Sequence, residues 1–109
     1  VPDIAGDEAR IALYANEHTK DSDILYLTNY YYPTTIYYSR RKVYAVYSDF
    51  EGGNTPWIKP KSDWKGILQK DNVYIITTKN EYDELQNTFP KLKYTILFQS
   101  GDKLLVKKI

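Results

Sequence analysis

The residues of this chain that could take part in catalysis are an acidic pair and a single histidine. Asp49 and Glu51 are carboxylates two positions apart, and such a pair serves acid–base catalysis or binds a hard cation. The sequence offers them no further ligand and no partner that would shift a pKa, so a solvated acidic loop is the favoured interpretation. His18 is the only histidine, and its predicted place near a helix end favours a structural role over a catalytic triad. We therefore predict no catalytic residue and no metal ligand.

A basic cluster, Arg40 to Lys42, follows a run of tyrosines. Arginine can hold a phosphate or carboxylate through bidentate hydrogen bonds, and the alternative is a solvated helix end favoured by the helix dipole. The net charge of +1 is too small for the footprint of a nucleic-acid-binding domain, so we predict no nucleic-acid partner. Gly52 and Gly53 lack the glycine spacing of a dinucleotide fingerprint or a Walker loop, and no cofactor is predicted.

Aromatic residues are the unusual feature of the composition, with 12 tyrosines and two tryptophans. Tyrosine combines an apolar ring with a polar tip and is common where a domain meets a partner or a sugar. The favoured alternative is that these tyrosines are half-buried strand and helix residues. For contact with a partner we predict an exposed surface made of Tyr30, Tyr31, Tyr38, Arg40, Arg41 and Trp57.

The length of 109 residues indicates a single soluble domain covering residues 1–109. Cysteine is absent, which excludes disulfides, thiolate nucleophiles and cysteine metal sites together. No apolar run approaches the roughly 20 residues that span a bilayer, and no signal peptide is visible. Because the chain starts at Val1 without a methionine, we expect it to be a piece excised from a larger membrane protein.

Hydrophobic patterning predicts strands that alternate with helices. Such alternation implies an α/β fold with a three-layer, mostly parallel five-stranded sheet, helices on both faces and a C-terminal antiparallel hairpin. The last strand, flanked by lysines, is predicted at an edge of the sheet. Ser62 is predicted to cap the third helix, and Thr78 followed by Glu81 fits a capping box at the start of the fourth. The predicted helices cover residues 7–19, 30–41, 62–68 and 79–89, and the predicted strands cover residues 23–29, 42–47, 72–78, 94–99 and 103–107.

Ligands of open parallel sheets bind at the carboxyl ends of the strands. In this chain Thr28 follows the first strand, the irregular stretch 48–60 follows the second, and Thr77 with Thr78 ends the third. A small anion or sugar would be held at this rim, with a tryptophan stacking on it. The residues predicted to bind it are Asn29, Tyr30, Asp49, Glu51 and Trp57.

Four stretches carry a resemblance to a known family. First, a helix ending at Thr19 is followed by two aspartates and an apolar strand. Second, Pro33 to Arg40 resembles a pattern of proline, aromatic pair and Ser-Gly-Arg. The third is strand 73–76, which leads into a helix, and the fourth is residues 98–106, which resemble a closing hairpin. Together the chain resembles the C-terminal domain of multi-pass membrane glycosyltransferases, the dolichyl-phosphate-mannose protein mannosyltransferases and aminoarabinose transferases. Two arginines follow Ser39, so which of them matches the family arginine stays open.

The resemblance implies an extracytoplasmic domain that packs on the transmembrane domain of the same chain, in the cell membrane. The catalytic carboxylates of that family lie in loops between membrane spans, so the resemblance implies a non-catalytic role in acceptor or partner binding. The parent enzyme would use a polyprenyl-phosphate-linked sugar as donor. The alternative is a free-standing module that binds a sugar or anion without catalysis. A small hydrolase is the weakest interpretation because no activated nucleophile is identifiable.

Overall fold

The computed structural model describes residues 6–28, 33–48 and 57–109 of the chain. In these ranges helices and strands follow one another as the hydrophobic pattern predicts, and one additional short strand precedes the third helix. No helix among the described residues is long and apolar enough to cross a membrane. The elements are α1 (Asp7–His18), β1 (Ile24–Leu27), α2 (Pro33–Ser39), β2 (Lys42–Ser48), β3 (Ile58–Pro60), a 3₁₀ turn (Lys61–Asp63), α3 (Trp64–Ile67), β4 (Val73–Thr78), α4 (Lys79–Thr88), β5 (Tyr94–Ser100) and β6 (Lys103–Lys108).

The strands form one mixed sheet in the order β3-β2-β1-β4-β6-β5. Strands β3, β2, β1 and β4 pair in parallel, whereas β6 runs antiparallel to both of its neighbours. The predicted α/β class, with a mostly parallel part and a C-terminal antiparallel hairpin, is confirmed. The predicted count of five strands is wrong because β3, only three residues long, pairs with β2 inside a stretch predicted as irregular.

The final strand β6 is an interior strand, and the prediction that it lies at the edge is wrong. It is inserted between β4 and β5, and β5 forms the edge instead. Leu104, Leu105 and Val106 are 2%, 0% and 0% exposed. A continuous apolar run of this kind needs cover on both faces of the sheet and a neighbour on both sides. In β5, by contrast, Thr95, Ile96 and Gln99 are exposed.

Alternate strand residues belong to two separate hydrophobic clusters. Leu25, Leu27 and Ala45 cluster with α1, with Ile36 of α2 packed against them. Tyr26 and Val46 cluster instead with residues of α3 and α4. Because successive side chains of a strand point to opposite faces, α1 and α2 cover one face, here called the α1–α2 face. The helices α3 and α4 cover the other, the α3–α4 face.

Two local structures set the ends of these elements. Gly101 turns the β5–β6 hairpin with φ +61°, and a Cβ at this position would collide with the Asp7 carboxylate. That carboxylate accepts a hydrogen bond of 2.7 Å from the Ser100 hydroxyl, which fastens the start of α1 to the hairpin. The predicted Ser62 cap is wrong: Ser62 lies inside the 3₁₀ turn, and the N-cap position of α3 is Asp63, which makes no side-chain cap hydrogen bond.

Candidate functional site

The sheet has a crevice where the parallel strands β1 and β4 end side by side. The chain leaves β1 for α2 on one face and leaves β4 for α4 on the other. Ligands of open α/β sheets bind at such a topological switch point, where the connections from two neighbouring strands go to opposite faces of the sheet. Thr28 follows β1 and donates a 2.7 Å hydrogen bond from its hydroxyl to that of Thr77, which donates in turn to the carbonyl of Thr78. The two strand ends are thereby tied together at the rim.

A cleft opens beside this crevice on the α3–α4 face. Its polar groups are two carboxylates, one ammonium group and two hydroxyls, set around aromatic and aliphatic side chains. This mixture suits a small ligand with both hydroxyl groups and apolar patches, such as a sugar. The cleft, here called the rim cleft, is lined by Thr28, Val46, Lys61, Trp64, Glu81, Glu84, Leu85, Thr88 and Phe89.

The wall of the rim cleft is held rigidly by Trp64 of α3. Its indole N–H donates a 3.1 Å hydrogen bond to the carbonyl of Val46, and the side chain is 7% exposed. The Tyr26 ring lies 6.2 Å away at a tilt of 58°. With its donor already satisfied, Trp64 offers a ligand a fixed apolar surface and no hydrogen bond.

The acidic side of the rim cleft is set by the N-terminus of α4. Thr78 accepts a 3.3 Å hydrogen bond from the backbone N–H of Glu81 and donates a 2.7 Å bond to its carboxylate. Thr78 is therefore the N-cap of α4, as predicted, while the Glu81 carboxylate accepts from the Thr78 hydroxyl and not from its backbone N–H as in a full capping box. Glu84, one helical turn further on, is exposed at the cleft. Glu81 therefore stabilises the helix, and Glu84 is the carboxylate more available to a ligand.

Tyrosines of the α3–α4 face are engaged within the domain. The rings of Tyr26 and Tyr44 stack at 6.1 Å, and the ammonium groups of Lys42 and Lys59 lie 5.3 and 4.8 Å from the Tyr44 ring centre. Burial, and then the neighbouring Tyr44, raises the pKa of Tyr26. A hydrogen bond with Tyr44 raises the pKa of Lys42. For these tyrosines the structure gives packing roles, as the half-buried alternative predicts.

Arg41 has a structural role on the α1–α2 face. Its side chain is 6% exposed, and its guanidinium donates to the carbonyls of Asn16 and Thr19 at 3.0 and 2.8 Å and to the Thr19 hydroxyl at 3.0 Å. It also pairs with the exposed carboxylate of Asp21 at 3.3 Å. Asn16 returns a 2.8 Å hydrogen bond to the carbonyl of Ser39 at the end of α2. Arg41, just after α2, thus satisfies carbonyls at the C-terminus of α1, and Asn16 of α1 satisfies one at the C-terminus of α2. These carbonyls have no partner within their own helix.

Arg40, in contrast, is exposed and lies in the left-handed region with φ 54°. Its N–H donates to the carbonyl of Ile36 at 2.9 Å, so it follows the end of α2 in a position that glycine usually occupies. Arg40 thus has the conformation that the resemblance would give to the glycine of Ser-Gly-Arg. The matching of either arginine to the family arginine stays a prediction.

The other predicted binding residues divide between exposed positions and positions outside the described ranges. Trp57 is 42% exposed, and its carbonyl accepts a 2.8 Å hydrogen bond from the N–H of Ala45. Tyr38 is half-buried and meets the 66%-exposed Tyr37 edge-on at 5.0 Å. The binding roles of Trp57, Tyr38 and Arg40 stay predictions, whereas the prediction that Arg41 belongs to an exposed surface is wrong because its guanidinium is buried against α1. The remaining predicted residues lie outside the described residues: Asn29, Tyr30, Tyr31, Asp49 and Glu51.

Several residues of the rim cleft were not singled out by sequence reasoning. Lys61, Glu84 and Thr88 read as ordinary polar positions, and Trp64 reads as one apolar residue of a helical face. Only the pairing of α3 beside α4 over the sheet brings them together. The described residues contain no group of three or more His, Cys, Asp or Glu side chains that could hold a metal ion. His18 stacks on Tyr14 at 3.8 Å in the last turn of α1, away from the rim cleft.

The fold is similar to part of ArnT from Cupriavidus metallidurans, a protein whose crystal structure is known in the apo state. The two chains agree with a TM-score of 0.66 at 15% sequence identity, over 91% of this chain and 20% of the ArnT chain. ArnT is an aminoarabinose transferase, a membrane glycosyltransferase, and so falls within the family that the sequence resembles. This chain spans about a fifth of the length of that relative. No protein-family model and no curated protein sequence matches the chain.

Proposed function

We propose that this chain is a domain of a membrane glycosyltransferase, namely its extracytoplasmic C-terminal domain. The supporting observation is the unequal coverage of the structural match, which includes 91% of this chain but only 20% of the ArnT chain. Such unequal coverage is expected when one domain of a long enzyme is compared with the whole enzyme. The sequence resemblance independently favours the same family, with a polyprenyl-phosphate-linked sugar as donor and the cell membrane as location.

The proposed role of the domain is to bind the acceptor or the transmembrane part of the same chain, and not to catalyse transfer. The rim cleft holds two glutamates but no histidine, and Glu81 is committed to capping α4. General acid–base catalysis needs a group poised between protonation states and aimed at the substrate. The polar groups of the cleft, among them the exposed Glu84, support a role in binding. Of the exposed residues predicted for partner contact, Arg40 precedes β2 and lies at the opposite edge of the sheet from the rim cleft, so any partner contact it makes is separate from the cleft.

The first test is the natural coding sequence upstream of Val1, read for mean hydropathy in windows of about 19 residues. The proposal expects several membrane-spanning segments that end shortly before Val1. A start codon, or a signal peptide followed directly by Val1, would refute it. In the full-length parent, removal of this domain is expected to impair acceptor use while the catalytic loops remain intact.

A second candidate function, a free-standing module that binds a sugar or anion, is favoured by the rim cleft itself. It predicts heat on titration of the isolated chain with monosaccharides or inorganic phosphate, with dissociation constants of about 1 mM or tighter. Glu84→Gln should abolish that binding. Asp83→Asn, a neighbouring exposed carboxylate of α4 that does not line the cleft, should leave it intact. Absence of binding at about 10 mM ligand excludes this candidate.

A further inference from the structure

A second concave surface lies at the other end of α4, where the chain turns into β5. The register of β4 and β6 places it at the amino end of β4, because Lys108 there pairs with Val73. It is separate from the rim cleft except for two shared residues, Thr88 and Phe89, at the end of α4. This surface, here called the amino-end groove, is lined by Lys65, Leu68, Gln69, Thr88, Phe89, Pro90, Lys91, Leu92 and Lys108.

The floor of the amino-end groove is apolar and continuous with the core. Leu68 is 1% exposed, and Phe89 and Leu92 are half-buried against the same cluster. Pro90 is exposed beside them. Since Phe89 and Leu92 are anchored by the core, this apolar surface is preformed, and its remaining exposed area can be removed from water only by an apolar ligand.

The charged side chains that line the amino-end groove are all positive. Three of its nine residues are lysines and none is acidic. The Lys108 ammonium is buried and occupied, donating to the carbonyl of Lys70 at 2.7 Å and lying 3.9 Å from the exposed Asp71 carboxylate. Lys65 and Lys91 are exposed, and neither forms an ion pair with the described residues. Two lysines are therefore available to an anion next to an apolar floor.

We propose that the amino-end groove binds an anionic membrane lipid. The lipid phosphate pairs with Lys65 and Lys91, and its acyl chain lies along Phe89, Pro90 and Leu92. Apolar contact combined with lysines is what anchors protein surfaces at anionic bilayers, because lysine stems lie along apolar surface while their ammonium groups reach the phosphates. The inference goes beyond the proposed function, since it rests on the groove and not on the identity of the parent enzyme.

The direct test is sedimentation of the 109-residue chain with lipid vesicles. Vesicles of phosphatidylcholine alone are compared with vesicles that contain about 30% phosphatidylglycerol. We expect binding to the anionic vesicles only, weakened about tenfold in the Lys65→Glu/Lys91→Glu variant. The matched control, Lys20→Glu/Lys79→Glu, makes the same change in net charge at exposed positions outside the groove. Binding that the control weakens equally, or no binding to either vesicle, overturns the proposal.

A second test separates the apolar contact from the charge. Amide chemical shifts of Gln69 and Leu92 are followed by NMR during titration with monomeric dodecyl phosphate, dodecyl maltoside or inorganic phosphate. We expect shifts at both amides with dodecyl phosphate alone. Equal shifts with maltoside or with inorganic phosphate overturn the proposal, and so do shifts confined to the rim cleft. An upstream sequence without membrane spans would refute the proposed function and leave both lipid tests standing.

Discussion

The two faces of the sheet are built on opposite principles. On the α1–α2 face, the 12-residue α1 packs through alanines that are 1%, 0% and 0% exposed, and Arg41 joins the two helix ends. On the α3–α4 face, α3 has only four residues, and large rings such as Trp64 and Tyr82 fill the space over the strands. A long helix with small residues can lie close against the whole face of the sheet, whereas a short helix packed through bulky rings leaves grooves between itself and its neighbours. Both concave surfaces described above accordingly lie along α4.

Arg41→Ala should have the largest effect, because it breaks the closed face. It would remove the donors that satisfy the carbonyls of Asn16 and Thr19 in a buried place. We expect the free energy of unfolding to fall by about 3 kcal/mol, measured by urea denaturation. Asp21→Asn removes the exposed partner of the same guanidinium and should change stability by less than about 0.5 kcal/mol. A loss under about 1 kcal/mol for Arg41→Ala would mean that the helix ends do not depend on it.

A pair of enlargements contrasts the buried side of the closed face with the exposed side of α3. Ala12 is 0% exposed in α1, so Ala12→Leu should overpack the closed face and cost about 2 kcal/mol. Gly66 in α3 is exposed, with nothing within 4 Å of its would-be Cβ, so Gly66→Ala should gain about 0.5 kcal/mol through helix propensity. Thermal unfolding followed by circular dichroism measures both. Equal losses for the two variants would contradict both expectations.

Tyr94→Phe should stabilise the α3–α4 face. The Tyr94 hydroxyl is buried and has no hydrogen-bond partner among the described residues. Its removal should raise the free energy of unfolding by about 1 kcal/mol, because an unsatisfied buried polar group is lost. The ring of Tyr82 meets that of Tyr94 edge-on at 5.9 Å, and the Tyr82 hydroxyl accepts a 3.1 Å hydrogen bond from the side-chain amide of Gln86. Tyr82→Phe is the matched control and should be neutral or slightly destabilising.

The alkaline limb of the stability curve sharpens the same prediction. Burial, and then the neighbouring Tyr82, raises the pKa of Tyr94 above its ordinary value of 10.0. The folded state then holds the proton of the Tyr94 hydroxyl more tightly than the unfolded state does. This difference adds to the free energy of unfolding below pH 10, and the added stability is lost as pH rises through the pKa of Tyr94 in the folded state. Tyr94→Phe should lose less stability between pH 9 and pH 11 than the parent chain. An identical alkaline loss in both would show that Tyr94 does not titrate abnormally.

Arg40→Gly should have the smallest effect and the opposite sign from Arg41→Ala. Arg40 adopts φ 54°, which a residue with a Cβ adopts at a cost, whereas glycine adopts it freely. Part of the gain is offset because glycine makes the unfolded chain more disordered. We expect a net stabilisation of about 0.5 kcal/mol by urea denaturation. Destabilisation would mean that the exposed Arg40 side chain makes contacts that matter more than its backbone strain.

Much of the fold was predictable because it depends on local pattern. The alanine spacing of α1, the apolar runs of β1 and β4, and the Thr78–Glu81 cap each involve residues a few positions apart. The strand β3 was missed because three residues ending in proline are too few to show the alternation of apolar and polar side chains that marks a strand. The place of β6 was misjudged because its lysine flanks suggested an edge, while its apolar centre required two neighbours.

The candidate site was less predictable than the fold. The rim position of Thr28, Thr77 and Thr78 followed from strand order alone, since carboxyl ends of parallel strands meet at one edge. The rim cleft and the amino-end groove depend on how α3 lies beside α4. That arrangement is set by Trp64, Phe89 and their partners across the sheet. No local pattern encodes it.

The sequence by itself determined the α/β class, where α4 begins, and every helix and strand except β3, because these depend on side chains within about four positions of one another. Only the tertiary structure decided that Arg41 stabilises α1 while Arg40 stands exposed in a glycine-like conformation. The partners of Arg41 are 22 and 25 positions away in the chain. Two adjacent arginines look alike in sequence and differ in role because one guanidinium meets buried carbonyls and the other meets solvent.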